Sequence, residues 1–454
     1  MAVCKYHQIC GLDDKVDPVS GLCILHSQSP DKDKQSFVTA LEAHRKKNGN
    51  NFTGIVFPVH ARFHDITFTA GTSFERAAFT EGADFSLAKF GQYADFQSAT
   101  FTRKANFFMA RFEGWVNFRK VMFADEAAFL ATTFNDKADF EQARFVEEAN
   151  FLSANFAECT NFDRTTFSKE ACFSAAKFTK DATFFGAKFS SEANFEQTQF
   201  NVGRVDFRRA SFGGRTLFSS RRNHDQTIAI FSGVEVDFMQ VLIDAPHALT
   251  FLEADLRKCR FLDTDLRKVE FTGVDWTKIG GRSVVYDEIV PLQAGEARPW
   301  ARIERLYREL KQNYEDRRDY ERAGDFHYGE KEMRRRNPET PFILRFLLTF
   351  YWLFSGYGER YLRPLIWAGL LLAASTIGYL ALGLSSKGGE STLALTNGWD
   401  WLRAAFYSFR VMTFLKPDDL IPIGCSKVVN TIESLLGPLL LGLFALAVRQ
   451  RLKR

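Results

Sequence analysis

The sequence predicts a β-solenoid joined to a C-terminal helical unit that crosses a membrane twice. Three observations carry this expectation. Phenylalanine returns on a fixed beat through the first half of the chain, helical periodicity replaces the beat after Pro299, and two long apolar stretches, one uncharged and one with a single acid, lie near the C-terminus.

From Phe63 to Phe200 the phenylalanines are separated alternately by five and six residues, over 26 consecutive positions. A helical face returns every ~3.6 residues and a strand alternates with period two, so neither produces this spacing. A strict long-range repeat marks a solenoid, in which each unit packs only on its neighbours. The residue two before each Phe is small, as in Ala83-Asp84-Phe85, Ala88-Lys89-Phe90 and Ala94-Asp95-Phe96. Exceptions such as Val116, Val121, Thr132, Thr160 and Thr165 stay small or β-branched. A narrow interior that takes one Phe and one small residue per face explains both features. Asp or Asn just before the Phe suits a corner, because these side chains cap turns. Cys159, Cys172 and Cys259 fall inside the repeats, where a lone Cys reads as a small buried apolar residue.

The units resemble the Ala-(Asp/Asn)-(Leu/Phe)-X-X motif of the pentapeptide-repeat family. The resemblance covers about half the chain and implies a right-handed parallel β-helix with four faces per square coil, here over residues 51–280. The alternating spacing then reads as two 11-residue units per coil. At ~4.8 Å per coil, Phe63 to Phe218 makes a rod ~34 Å long. A five-residue beat returns at Phe251, Leu256, Phe261, Leu266, Phe271 and Trp276. The pattern slips between Phe218 and Phe251, which predicts a loop near Ser219–Asp225 and distorted coils after it.

The first 50 residues form a separate cap. Cys4, Cys10, Cys23 and His26 have the spacing C-x5-C-x12-C-x2-H, and three thiolates with one imidazole suit structural, tetrahedral Zn²⁺. Gly11 and Gly21 let the chain bend around the ion, and His7 is a rival fourth ligand. The bland alternative is a metal-free tail with reduced thiols. Lys34–Asn48 reads as a short helix over the solenoid's first coil, since solenoid ends need caps. The first residues carry no apolar run, so the N-terminus is expected to stay in the cytoplasm.

Net charge is +4 over 454 residues, so a strong polyanion partner such as nucleic acid is not expected. Some pentapeptide proteins mimic DNA and inhibit gyrase, but that needs an acidic rod. Here Lys89, Arg103, Lys104 and Arg119 stand among the acids. No Gly-rich phosphate loop, nucleophile elbow or paired acid/base constellation appears, so an enzyme is not expected. His224 and Asp225 read as solvent-facing loop residues.

Beyond Pro299, Ile303, Leu306, Tyr307, Leu310 and Tyr314 recur at helical steps. With a polar break at Asp316–Asp319, residues 298–338 read as a helix hairpin, either a solvated connector or a coupler to the membrane domain. Residues 341–362 read as an interfacial helix with aromatic anchors Phe350, Tyr351, Trp352 and Phe354. Leu365–Leu384 carries no charge and at 1.5 Å per residue reaches ~30 Å, enough to span a bilayer core. Val428–Val448 is the second span, with Glu433 as its one charge. Arg334–Arg336 and Arg363 precede the first span, and Arg449, Arg451, Lys453 and Arg454 follow the second, which places both ends in the cytoplasm.

Between the spans, the loop Ser385–Lys427 contains an apolar helix from Trp399 that is too short to cross, with a stop at Pro417. A span, a re-entrant half-helix, an extended stretch and a second span make the layout of a pore module. Residues 363–454 resemble the bacterial two-span potassium-channel-like pore family. Ala405-Phe406-Tyr407-Ser408 matches its pore helix, and Thr413 falls where its filter begins. Asp419-Leu420-Ile421-Pro422 matches its acidic-X-X-Pro. Ile432–Gly437, with Glu433 and Gly437, matches the start of its inner helix. The filter itself departs: Phe414-Leu415-Lys416-Pro417-Asp418 replaces Gly-Tyr-Gly, and Arg410 is an oddity within the pore helix. The resemblance implies a homotetramer in the cell inner membrane, in contact with lipid and passing inorganic ions with a weak lean to cations. The β-helix would act as sensor or assembly scaffold, with a possible protein partner on its surface. The alternative is a non-conducting membrane-anchored scaffold.

Overall fold

The computed structural model describes residues 4, 6, 8, 20–29, 31–222, 227–245, 248–291, 297–386, 392–415 and 420–452. The chain forms two compact units, Met1–Arg298 and Pro299–Arg454.

The first unit is a parallel β-solenoid with four faces, whose sheets hold nine, ten, seven and nine strands. Most strands are two residues long, and each pairs with the strand one coil on. Val56 pairs with Ala78 and Phe57 with Phe79, and Ala105 pairs with Ala127. The coil is therefore two 11-residue units, as the spacing predicts, and the architecture is consistent with pentapeptide repeats.

The five-six alternation has a backbone origin. Asp65, Arg76, Leu87, Ser98 and Met109 all have positive φ, each two residues after a Phe. The amides of Ile66, Ala77 and Ala88 donate to the carbonyls of Phe63, Phe74 and Phe85 at 3.3, 2.9 and 3.1 Å. A three-residue reach with φ > 0 at the third position is the type II turn pattern. The alternate corners hold one residue more, which gives the six-residue step.

The phenylalanines stack into four columns along the rod. In one column Phe85, Phe107 and Phe129 lie 4.9 and 4.7 Å apart with parallel rings. In another, Phe96, Phe118 and Phe140 are each 4.8 Å apart. Rings of these two columns meet edge to face, as Phe85 and Phe96 do at 5.5 Å and 88°. Such pairs contribute ~0.5–1.5 kcal/mol beyond burial. The Asp and Asn residues before the Phe act at corners as expected: Asp84, Asp95 and Asn150 accept from the amides of Ser86, Gln97 and Leu152. At two positions where Thr replaces the small interior Ala, the hydroxyl donates to an earlier coil, Thr132 to the Phe107 carbonyl at 2.7 Å and Thr165 to that of Phe140 at 2.8 Å, whereas Thr160 donates locally to the Glu158 carbonyl at 3.2 Å.

Two of the three repeat cysteines depart from expectation. Cys259 is buried, but Cys159 is exposed and Cys172 only half-buried. Cys172 stands in the Asp/Asn position before Phe173, which faces outward. Cys159 lies in a corner.

The slip after Phe218 is an insertion, not a break. The next coil takes 33 residues, because Phe218 pairs with Phe251. Part of the excess is a hairpin of Arg221–Arg222 with Thr227–Ile228. Residues 223–226, with His224 and Asp225, lie outside the described residues. The five-residue beat then closes a shorter coil, in which Phe251 pairs with Phe271.

Both ends of the solenoid are covered. At the start, helix α1 (Lys34–Asn48), capped by Asp33, buries Phe37 edge-on against Phe57 at 5.8 Å. At the end, the helical turn α2 (Tyr286–Ile289) buries Asp287 and Glu288. Glu288 pairs with Arg282 at 2.6 Å. Asp287 accepts from the Phe261 amide through Oδ2, while its Oδ1 has no hydrogen-bond partner among the described residues. Burial, opposed by that bond and by Arg260, pushes the Asp287 carboxyl up to about 6, and Asp237 adds repulsion.

A carboxyl raised from 3.8 to about 6 makes folding less favourable as pH rises through that window. Asp287→Asn is therefore expected to be the more stable protein at pH 7.5, by up to ~3 kcal/mol. The advantage should shrink to nothing near pH 4, and denaturant unfolding at both pH values checks this.

The second unit begins with a hairpin of α3 (Trp300–Asp316) and α4 (Tyr320–Arg336). Ile303, Leu306, Tyr307, Leu310 and Tyr314 are all buried, as their spacing predicts. Gly329 lets the helices approach, since a Cβ there would sit 2.5 Å from the Tyr307 ring. Helix α5 (Phe342–Ser355) leaves Phe342, Ile343, Phe346 and Phe350 exposed, as an interfacial helix would. Helix α6 (Leu362–Leu382) starts before the expected Leu365, and it ends at Gly383, whose φ of 105° breaks it. Helix α7 (Gly398–Met412) is followed by α8 (Ser426–Leu452).

Candidate functional site

Helices α6 and α8 are long and apolar enough to cross a membrane. The core helix of a soluble protein can pass the same test, but it is mostly buried. Here only 28% and 22% of the two apolar windows is covered by the protein. Leu365, Ile366, Leu370 and Ile377 on α6, and Val428, Ile432, Leu435 and Leu439 on α8, are exposed. A contiguous apolar surface of this kind fits lipid or further subunits rather than water.

Helix α7 has 15 residues, ~22 Å at 1.5 Å per residue, and falls short of a ~30 Å bilayer core. Asn397 caps its start by accepting from the Trp399 amide. Ala404, Tyr407 and Val411 pack on Tyr379 and Leu380 of α6, with Leu384, Leu393, Leu420 and Val429 completing the cluster. A second cluster joins Met412 to Ala368 and Leu440. Gly437 is a contact point here: a Cβ would lie 2.8 Å from Met412 Cα. Arg410, unexpected within this helix, lies over the Phe406 ring at 5.9 Å.

Glu433 is the centre of this module and is fully buried. Its Oε2 accepts from the Tyr379 hydroxyl of α6 at 2.7 Å. Its Oε1 accepts from the Ser408 hydroxyl of α7. One turn away, Asn430 Oδ1 accepts from Tyr407 at 3.1 Å. One carboxylate thus ties both flanking helices to α8. The sequence shows Glu433 as the one charge of the second span; its partners carry no sequence signal.

Of the expected filter residues, Thr413, Phe414 and Leu415 are described. The Thr413 hydroxyl donates back to the Phe409 carbonyl at 2.9 Å, at the end of α7. Phe414 has φ of 58°, turns the chain and is exposed with Leu415. Lys416, Pro417, Asp418 and Asp419 lie outside the described residues. The chain then re-enters as Leu420–Pro422, which pairs antiparallel with Leu384–Ser386. This clasp ties the end of α6 to the approach to α8, and sequence analysis did not foresee it.

A second site lies in the N-terminal cap. Cys4, Cys23 and His26 are all buried, and their ligand atoms lie within 4.8 Å of one another. His26 Nδ1 is 3.0 Å from Cys23 Sγ and 3.9 Å from Cys4 Sγ. The ring stacks on Tyr6 at 4.4 Å. Burial holds the imidazole down to about 4, so it is neutral at physiological pH. Cys10 and His7 lie outside the described residues. Beside this cluster sits Lys32, which the sequence disguises as a surface residue. It is buried, and its Nζ donates to the carbonyls of Leu25, Ser27 and Val56 at 3.1, 3.2 and 2.7 Å.

Comparison with protein-family models, curated proteins and solved structures finds no match for this chain. The class is therefore defined by architecture: a parallel β-solenoid of about nine turns followed by a helical unit with two helices able to span a membrane.

Proposed function

We propose that this protein is a multi-pass membrane protein whose C-terminal module forms an ion pore. The observation that carries the reading is the short helix α7, held between two longer apolar helices by a buried carboxylate. A simple anchor needs neither the half-helix nor the acid, and intramembrane acids usually serve a pathway or a packed interior. A pore on an axis needs several copies, and the exposed apolar faces of α6 and α8 supply surface for a homotetramer within lipid. The flanking basic residues argue for both termini in the cytoplasm, and the resemblance of residues 363–454 to the two-span pore family implies the cell inner membrane.

Without Gly-Tyr-Gly there is no ring of carbonyls to select potassium sharply. Conduction is therefore expected to be weakly selective and to lean to cations, with Thr413–Asp419 at the narrow mouth. The solenoid serves as a sensor or assembly scaffold and offers its surface to a protein partner. The test is dissipation of a potassium or sodium gradient in vesicles carrying purified protein. Vesicles that stay tight with correctly inserted protein would replace the pore with a membrane-anchored scaffold.

A further inference from the structure

We infer that Cys4, Cys23 and His26 hold a structural zinc ion that clamps the N-terminal cap onto the first coil of the solenoid. This goes beyond the pore reading and does not depend on it.

The tautomer of His26 is the first support. Its Nε2 lies 3.2 Å from the Thr53 carbonyl. A carbonyl only accepts, so Nε2 carries the proton. Nδ1 is then left with a lone pair, and it is the nitrogen aimed at both sulfurs. Metal-binding histidines have this arrangement, with the second ring nitrogen donating to a carbonyl or carboxylate.

The distances are the second support. Tetrahedral bonds of ~2.3 Å to sulfur and ~2.0 Å to nitrogen place S and N ~3.5 Å apart. The separations of 3.0 and 3.9 Å straddle that value. Two thiolates and one imidazole, all three buried, supply three positions of a tetrahedral site, and their burial suits a structural rather than a catalytic ion. Cys10 is the fourth ligand expected from the sequence.

The third support is where the ligands are anchored. The Cys23–His26 turn sits on the solenoid's first strand, because the Leu25 carbonyl accepts from the Val56 amide at 2.8 Å. Thr53, whose carbonyl accepts from His26 Nε2, belongs to the same approach. Tyr6 stacks on the ring and covers Gly54, where a Cβ would lie 2.9 Å from the tyrosine. An ion at this point ties the segment carrying Cys4 to the turn that covers the first edge strand, where the Leu25 carbonyl and Lys32 Nζ pair with the Val56 amide and carbonyl. Covering such edges is a recurrent need of parallel solenoids.

The test uses the full-length protein purified in detergent without chelator. Elemental analysis should find about one zinc per chain, and cobalt exchange should give a thiolate charge-transfer band. Removing the metal with a chelator should speed hydrogen exchange in the peptide covering residues 50–60. The peptide covering residues 135–145 should not change. Cys23→Ser should lose the metal; the chelator arm keeps the test decisive if that variant does not fold. Protein without zinc that gives no cobalt band would overturn the inference in favour of a metal-free thiol–imidazole hydrogen bond. Bound zinc whose removal leaves residues 50–60 unmoved would overturn the clamp. Zinc kept by Cys10→Ser but lost by His7→Ala would overturn the Cys10 assignment.

Discussion

Phe140→Ala is expected to destabilise the solenoid by ~3–5 kcal/mol, the cost of emptying a large buried site. Phe140 is fully buried. Its ring stacks between Phe118 and Phe162 at 4.8 Å on each side, and it meets Phe129 and Phe151 edge to face at 5.6 Å. The columns run continuously, so neighbouring rings cannot close the gap without shifting their own coils. Lys137→Ala, three residues away but exposed, should change stability by no more than ~0.5 kcal/mol. Chemical denaturation of the two variants checks the pair. Equal effects would mean that the Phe beat does not point inward.

Glu433→Leu is expected to cost the helical unit ~2–4 kcal/mol, because two buried hydroxyls lose their shortest acceptor at once and keep only longer contacts, Tyr379 to Asn430 Oδ1 at 3.4 Å and Ser408 to the Leu372 carbonyl at 3.5 Å. Tyr379 and Ser408 both donate to this carboxylate, from helices on either side of α8. A hydrogen bond to a charged acceptor contributes ~1.5–3 kcal/mol, and leucine offers no acceptor in its place. Glu433→Gln keeps an amide oxygen for one of them and should cost less than half as much. Thermal unfolding in detergent, followed by α-helical circular dichroism, gives the order wild type, Gln, Leu. Leucine at wild-type stability would show that the carboxylate does not hold α7 in place.

The repeat was legible because every coil asks the same question of the same position. A core too narrow for two large side chains per face writes Phe and a small residue into the sequence at fixed intervals. Even the five-six alternation records a physical fact, the tighter corner with φ > 0 at Asp65, Arg76 and their equivalents. Helix α1 was legible to its bounds, since Asp33 and Gly49 mark its ends.

What escaped were contacts with no period. Lys32 sits in a run of charges and reads as solvated until three carbonyls are seen around it. Glu433 reaches Ser408 and Tyr379 across 25 and 54 residues, and nothing in the spacing links them. The pairing of Leu384–Ser386 with Leu420–Pro422 joins two short stretches with no strand signature of their own. Cys172 was misplaced because a cysteine can fill either an interior or a corner position, and only the register against Phe173 decides. At the N-terminus the ligand types were legible, whereas the choice of Nδ1 as the metal-facing nitrogen required the Thr53 carbonyl.

The central claim is that the module built on α6, α7 and α8 conducts ions. Single-channel recording of purified protein in planar bilayers, with potassium, sodium and chloride exchanged across the membrane, tests it most directly. The expected result is a discrete conductance whose reversal potential leans to cations, discriminates little between potassium and sodium, and changes on Glu433→Gln or Asp419→Asn. Silent bilayers at every voltage, with inserted tetramers verified and both variants indistinguishable from wild type, would contradict the claim.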